Sequence, residues 1–141
     1  RIEAKKKVDN LFGTIDVVPT LCALAGVHAP SKCRGLDFSG HLLGTVGPAP
    51  KSQFIMHIAK ANASGNESHP APLFRGVRTK RHTYFVTDKG DGSLFDNKKD
   101  PYQMKNEFVS AGARIVRDKC EKLTRAWMTS ANDTFELGSD T

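Results

Sequence analysis

The chain has 141 residues, 38% of them hydrophobic, with a formal charge of +6 and three cysteines. That length suits one compact domain with its core, not comfortably two, and the longest apolar run, Ile15 to Val27, is broken by Asp16, Pro19 and Thr20, well short of the roughly 20 residues that span a bilayer. The basic residues are spread over Lys5–Lys7, Arg75–Arg81 and Arg114–Arg125 rather than massed, so they read as a solvated surface, and neither a nucleic-acid nor a membrane partner is expected.

The opening Arg1-Ile2-Glu3-Ala4-Lys5-Lys6-Lys7 has no apolar core of the signal-peptide kind and reads as a chain entered midway. Thr14 or Asp16 can cap a helix with Pro19 in its first turn, Leu21, Leu24 and Ala25 on an apolar face and Gly26 at its end. From His28 to Lys51 the Pro, Gly and Ser content predicts an extended connection, with a short helical turn around Phe38 to Leu43. Gln53 to Ala59 is apolar enough for a central strand, followed by a loop from Ala61 to Pro72. Phe74–Thr79 and Thr83–Thr87 flank the short Lys80-Arg81-His82 link, which favours an antiparallel hairpin. The turn Asp88-Lys89-Gly90-Asp91-Gly92 then delivers Ser93–Asp96 as a short strand. Last, Val116, Cys120, Leu123 and Trp127 make a helical stripe over roughly Ala113 to Ser130, opposed by Arg117, Lys119, Lys122 and Arg125. A helix of that kind must cover one face of the sheet, so the expected class is α+β: a small antiparallel sheet of three to four strands packed on a C-terminal helix, with a short N-terminal helix.

No familiar catalytic frame emerges from the residues. The sequence has no zinc-type His or Cys spacing, no Gly-rich phosphate cradle and no Gly-x-Ser-x-Gly turn. Asp88, Asp91, Asp96 and Asp100 lack the frame and terminal Glu of a calcium loop and are expected to form turns. Cys22, Cys33 and Cys120 make neither a metal pair nor an even disulfide set; Cys22 and Cys120 fall within apolar periodicity, as buried thiols do. His57, on an apolar strand, is a possible ligand or acid, though a packed, hydrogen-bonded histidine is the commoner outcome. Arg75 and Arg78, three apart on a short strand, project toward opposite faces; the one on the covered side needs a carboxylate or an anion, and an internal ion pair is the simpler solution.

Several segments, in order, resemble the C-terminal part of the sulfatase family, within the alkaline phosphatase superfamily. Thr14 to Val27 is similar to that family's Asp-x-x-Pro-Thr-Leu-x-x-Leu-Ala-Gly helix, and Gly35-Leu36-Asp37-Phe38-Ser39 with Leu42-Leu43-Gly44 to the segment that follows it. Phe74-Arg75-Gly76-Val77-Arg78-Thr79 with Thr83-Tyr84 resembles the family's Arg-x-Val-Arg-Thr hairpin, and Leu94 to Gln103 its Leu-Tyr-Asp-x-x-x-Asp-Pro turn, with Phe95 in place of the usual tyrosine. Asn106-Glu107-Phe108 replaces the usual Asn-Leu after that turn, and the final helix, ending in Trp127-Met128 before Asn132-Asp133, completes the pattern.

The resemblance implies a sulfatase C-terminal subdomain over 1–141, in which 1–51 ends the family's larger domain and its connection and 52–141 forms the sheet and terminal helix. It implies a partner, the upstream catalytic domain of the same protein, and a sulfated small molecule or glycan as substrate of the intact enzyme. It also implies Ca2+ and a formylglycine nucleophile upstream, so that this chain carries no catalytic or metal-binding residue and is inactive alone; the family's formylglycine is made by oxidation within a Cys-x-Pro-x-Arg or Ser-x-Pro-x-Arg segment, and none of Cys22, Cys33 or Cys120 begins such a segment. His57, Arg75 and Arg78 are then the candidates to line the substrate pocket. A periplasmic, secreted or lysosomal location follows from the resemblance alone. Two other readings stay open: a binding module for acidic glycans, centred on Arg75–Arg81, and the C-terminal part of a related phosphodiesterase or phosphonate hydrolase.

Overall fold

A computed structural model describes residues 2–58 and 72–138. Ala59 and residues 61–71 of the expected loop therefore lie outside the described residues. The chain divides into two compact units, Arg1–Gln53 and Phe54–Thr141.

In the first unit a 3-10 turn at Thr14–Asp16 runs into α1, Val17–Leu24, with Pro19 in the first turn, where its missing N–H costs no helical bond. Gly26 adopts φ 71° and ends the helix: Val27 N–H reaches Cys22 O and Gly26 N–H reaches Ala23 O, a left-handed closure that glycine makes without steric cost. The expected apolar face is not the inward one. Leu21 is 59% exposed and Ala25 is exposed, whereas Asp16, Pro19 and Thr20 are buried.

Polar contacts decide that orientation. The Asp16 carboxylate accepts the N–H of Gly13 (2.8 Å), the N–H of Leu36 (2.8 Å) and Gln53 Nε2 (2.9 Å), while Thr20 Oγ1 accepts Phe38 N–H at 3.0 Å. Asp16, the N-cap of α1, and Thr20, one turn on, thus hold the 36–38 segment, and Phe38 is buried there with Phe12 edge-on at 5.2 Å. A second short helix, α2, spans Ser39–Leu43 and ends at Gly44 with φ 87°.

The second unit is built on a four-stranded sheet: β1 Gln53–His57, β2 Phe74–Arg78, β3 His82–Thr87 and β4 Gly92–Asp96, in the order β1-β2-β3-β4. β2 and β4 both pair antiparallel with β3. β1, expected to be central, lies at an edge of the sheet and is shorter than expected; Met56 is 47% exposed, and Ile58, beyond the strand, is 71% exposed. Gly76 faces Phe85 in the register, and a Cβ there would overlap the Tyr84 carbonyl oxygen, so a side chain is excluded by close backbone approach.

A 3-10 turn at Ala111–Ala113 leads into α3, Arg114–Ala131. Its expected stripe packs inward: Cys120 is buried, and Val116, Leu123 and Trp127 lie partly buried against the cluster of Val77, Tyr84, Val86, Leu94, Phe108 and Ala113. Trp127 stacks on Phe54, with ring centroids 6.2 Å apart and planes at 9°. Val77, Tyr84 and Leu94 are almost wholly buried and contribute about 1.5–3 kcal/mol each. Beyond the stripe, Thr124 is also buried because its hydroxyl donates back to Cys120 O at 2.9 Å. Asn132, at φ 53°, closes the helix through Asp133 N–H to Met128 O and its own N–H to Thr129 O. Among the described residues no helix is long and apolar enough to cross a membrane.

Candidate functional site

Alternation along β2 separates the two arginines. Arg75 pairs with Val86 and Val77 with Tyr84, on the face covered by α3; Arg78 pairs with Thr83 and Gly76 with Phe85, on the other face. Arg75 is 8% exposed and ion-paired to Asp133, just past the end of α3, through Nε and also Nη2 (3.3 Å). Its Nη1 donates to the carbonyls of His57 (3.1 Å) and Phe74 (3.0 Å), and the guanidinium lies 4.2 Å from the Phe135 ring centroid. The internal ion pair expected for the covered arginine is therefore present. The hydrogen bond from Arg75 holds the Asp133 carboxyl below its usual range, against the opposing effect of burial.

His57 closes β1. Its Nδ1 lies 3.1 Å from Pro72 O, an acceptor, so Nδ1 carries the proton and neutral His57 keeps a lone pair at Nε2. The ring stacks on Phe74 at 5.9 Å, and Phe74 meets Phe85 at 4.8 Å, an aromatic row on the face away from α3. Arg78, at the far end of β2, is exposed; its Nη1 donates to Thr83 Oγ1 at 2.9 Å, and no carboxylate among the described residues pairs with it. His57 and Arg75 meet through a backbone carbonyl, whereas Arg78 stands apart from both.

The Arg75–Arg81 stretch does not make one basic patch. Arg75 is internal, Arg78 is alone, and Arg81 pairs with Asp96 at 3.0 Å. The Arg81 hydrogen bond, aided by the N–H groups of Lys98 and Lys99, holds the Asp96 carboxyl down to about 2. Asp96 and Asp100 are turn formers as expected, Asp100 accepting Lys105 N–H at 2.7 Å. Beside them a cavity of about 380 Å³ is lined by Arg81, His82, Asp96, Lys99 and Glu107 among others, and burial pushes the His82 imidazole down.

Among the described residues no group of three or more His, Cys, Asp or Glu side chains could hold a metal ion. All three cysteines are free, with Cys33 exposed and the buried Cys120 thiol pushed up by desolvation. Sequence reasoning missed the polar set around Arg78. Thr83 Oγ1 donates to Asn97 Oδ1 (3.0 Å), and Gln103 Nε2 donates to both Thr83 Oγ1 (3.0 Å) and Asn97 Oδ1 (2.9 Å). Those three residues come from β3, the turn after β4 and the next turn, so no local spacing announces them.

Residues 1–128 match the family model described as N-sulphoglucosamine sulphohydrolase, C-terminal. The chain is 33% identical over 129 residues to an ulvan-active sulfatase of Formosa agariphila, covering 92% of this chain and 24% of that protein. It is 33% identical over 110 residues to a Delta 4,5-hexuronate-2-O-sulfatase of Bacteroides thetaiotaomicron, covering 74% of this chain and 21% of that one. The solved structure of a 2-O GAG sulfatase superposes with a TM-score of 0.79 at 26% identity, over 99% of this chain and 30% of that one. The chain thus spans about a quarter of the length of these relatives. With its sheet, terminal helix and quoted motifs in the family's order, the chain belongs to the sulfatase family, as a member of the N-sulphoglucosamine sulphohydrolase C-terminal domain family.

Proposed function

We propose that this chain serves as the C-terminal subdomain of a sulfuric ester hydrolase acting on a sulfated glycan, docked on an upstream catalytic domain and forming one wall of the substrate pocket. The observation that carries the reading is the match of residues 1–128 to a sulfatase C-terminal model, in a chain that covers only 24% of a sulfatase relative. Ulvan and hexuronate 2-O-sulfate appear in the names of the relatives, and they support a sulfated polysaccharide or its fragments as the substrate class. The exposed apolar side chains of the first unit support docking: Phe12, Ile15, Val18 and Leu21 are 47–59% exposed, a surface that gains from being covered.

In the complete polypeptide a formylglycine and Ca2+ would supply the nucleophile and the charge that stabilises the sulfuryl oxygens. The residues present do not fit either group, since neither a cysteine nor a serine begins the required segment and no metal-capable cluster occurs among the described residues. Nucleophile and metal ligands are accordingly assigned upstream. For this chain the proposed roles are contacts: Arg78 as a cation for a substrate oxyanion and His57 as a hydrogen-bonding group at Nε2. Arg75, held by Asp133 and two carbonyls, is assigned to keeping the wall in shape.

The test compares the complete polypeptide that carries this chain with residues 1–141 alone, on an aryl sulfate and on a sulfated disaccharide. The complete protein turns over at least one substrate and the 141-residue chain neither, because rate enhancements of about 10⁶-fold or more require charge preorganised around the sulfuryl group. Calcium-dependent turnover by the short chain, above a heat-denatured control, would overturn the assignment.

A further inference from the structure

Three unusual features converge at one place on the sheet face away from α3. Gln103 is one of three non-glycine residues with positive φ among the described residues, at 54°. Asn97 Nδ2 is the one buried side-chain polar atom without a hydrogen-bond partner among the described residues. Arg78, beside them, is the arginine of the hairpin that no carboxylate pairs with among the described residues. A left-handed non-glycine residue and an orphaned buried donor both cost folding free energy, and such costs collect where function requires a fixed geometry.

The hydrogen bonds show what is fixed. A threonine hydroxyl has one proton and two lone pairs. At Thr83 the proton goes to Asn97 Oδ1, one lone pair takes Gln103 Nε2–H, and the other takes Arg78 Nη1–H. The hydroxyl is saturated and cannot rotate without breaking a bond. Gln103, whose backbone is in the left-handed region, also holds Asn97 Oδ1 with its second proton. Arg78 gives one N–H of its five to this anchor, and the rest of its planar fork has no acceptor among the described residues.

We infer that Thr83, Asn97 and Gln103 are positioning residues for Arg78, setting its guanidinium to receive an oxyanion, either a sulfate ester or a carboxylate of the glycan substrate. A free arginine loses rotamer entropy when it binds; one already tethered at Nη1 loses less and presents the planar geometry that carboxylate and sulfate oxygens match. The inference rests on the proposed role of Arg78 in the pocket wall, and the experiment separates the two.

The variants are R78A, Q103N and R78A/Q103N in the complete polypeptide. Steady-state kinetics are measured on a 2-O-sulfated uronic-acid disaccharide and on 4-nitrophenyl sulfate, which has no carboxylate, alongside the thermal midpoint. Asparagine tolerates the left-handed backbone but is one methylene too short to reach Thr83, so Q103N keeps the fold while releasing the anchor. The expected result is a rise in KM of about tenfold or more for R78A and about threefold to tenfold for Q103N, with kcat and midpoint held and no further rise in the double variant. A KM effect on both substrates identifies the sulfate as the bound group; an effect on the disaccharide alone identifies the carboxylate. If R78A raises KM and Q103N does not, the positioning role is overturned while the wall assignment stands. If R78A leaves KM unchanged on both substrates, both are overturned.

Discussion

Asp16→Ala should unfold the first unit more readily than any other single polar substitution there, because this carboxylate closes three chain segments at once. It is 1% exposed and accepts Gly13 N–H, Leu36 N–H and Gln53 Nε2, all at 2.8–2.9 Å. Alanine orphans two backbone N–H groups, while the Gln53 amide retains only its bond to Leu11 O at 3.3 Å. At about 1–3 kcal/mol for each of the two unsatisfied donors, the loss is about 2–6 kcal/mol. Asp16→Asn is the informative companion. Its single oxygen can replace Oδ2, which serves Gly13 and Gln53, but its amide then faces Leu36 N–H, donor against donor, for a loss of about 1–3 kcal/mol. Urea unfolding followed by circular dichroism gives the totals, and native-state hydrogen exchange at the Gly13 and Leu36 amides places them. Exchange at both amides should quicken about 30-fold or more in Asp16→Ala, since each 1.4 kcal/mol is tenfold. A stability within about 0.5 kcal/mol of the parent, with both amides still protected, would refute the claim that Asp16 holds these segments.

Two other perturbations test the second unit. Trp127→Ala should cost about 2–3 kcal/mol in urea unfolding, below the figure for a fully buried ring because Trp127 is only partly buried, stacked on Phe54; no change in midpoint would show that the stack contributes nothing. Asp96, held down to about 2 by Arg81, has a folded value below its unfolded value of about 3.9. The stabilisation it brings is complete above about pH 4 and is lost as pH falls toward 2. Asp96→Asn should therefore flatten the loss of stability between about pH 4 and pH 2, and a variant with the same acid slope as the parent would count against the Arg81 pairing.

The strands and the last helix were legible because each carries a local period. Phe74–Arg78 and His82–Thr87 alternate across a short link, and Val116, Cys120, Leu123 and Trp127 recur at helical spacing, so pattern alone fixes which face is covered. Two expectations failed for physical reasons. β1 looked central because Phe54, Ile55 and Met56 are apolar, but sequence apolarity does not distinguish a strand paired on both sides from an edge strand. α1 looked amphipathic through Leu21, Leu24 and Ala25, yet its inward face is set by Asp16 and Thr20, whose partners, apart from Gly13, lie 16–37 residues away. The set around Arg78 was invisible for the same reason, since Thr83, Asn97 and Gln103 meet only through the sheet and two turns.

Motif residues in this chain therefore divide by what their polar atoms touch. Asp16 and Thr20 of the helix motif and Arg75 of the hairpin motif direct their hydrogen bonds to backbone N–H groups, carbonyls, a side-chain amide or a carboxylate of the same chain. Such bonds specify architecture, and removing one partner leaves a buried group unsatisfied. Arg78, in the same hairpin motif, is held through one N–H and leaves the others toward solvent, an arrangement that contributes little to folding yet presents a directed cation. The two arginines of one strand thus meet two different demands, one on each face of the sheet. Substitution at Arg75 should accordingly register in unfolding experiments, and substitution at Arg78, on the function proposed above, in the substrate KM of the complete polypeptide.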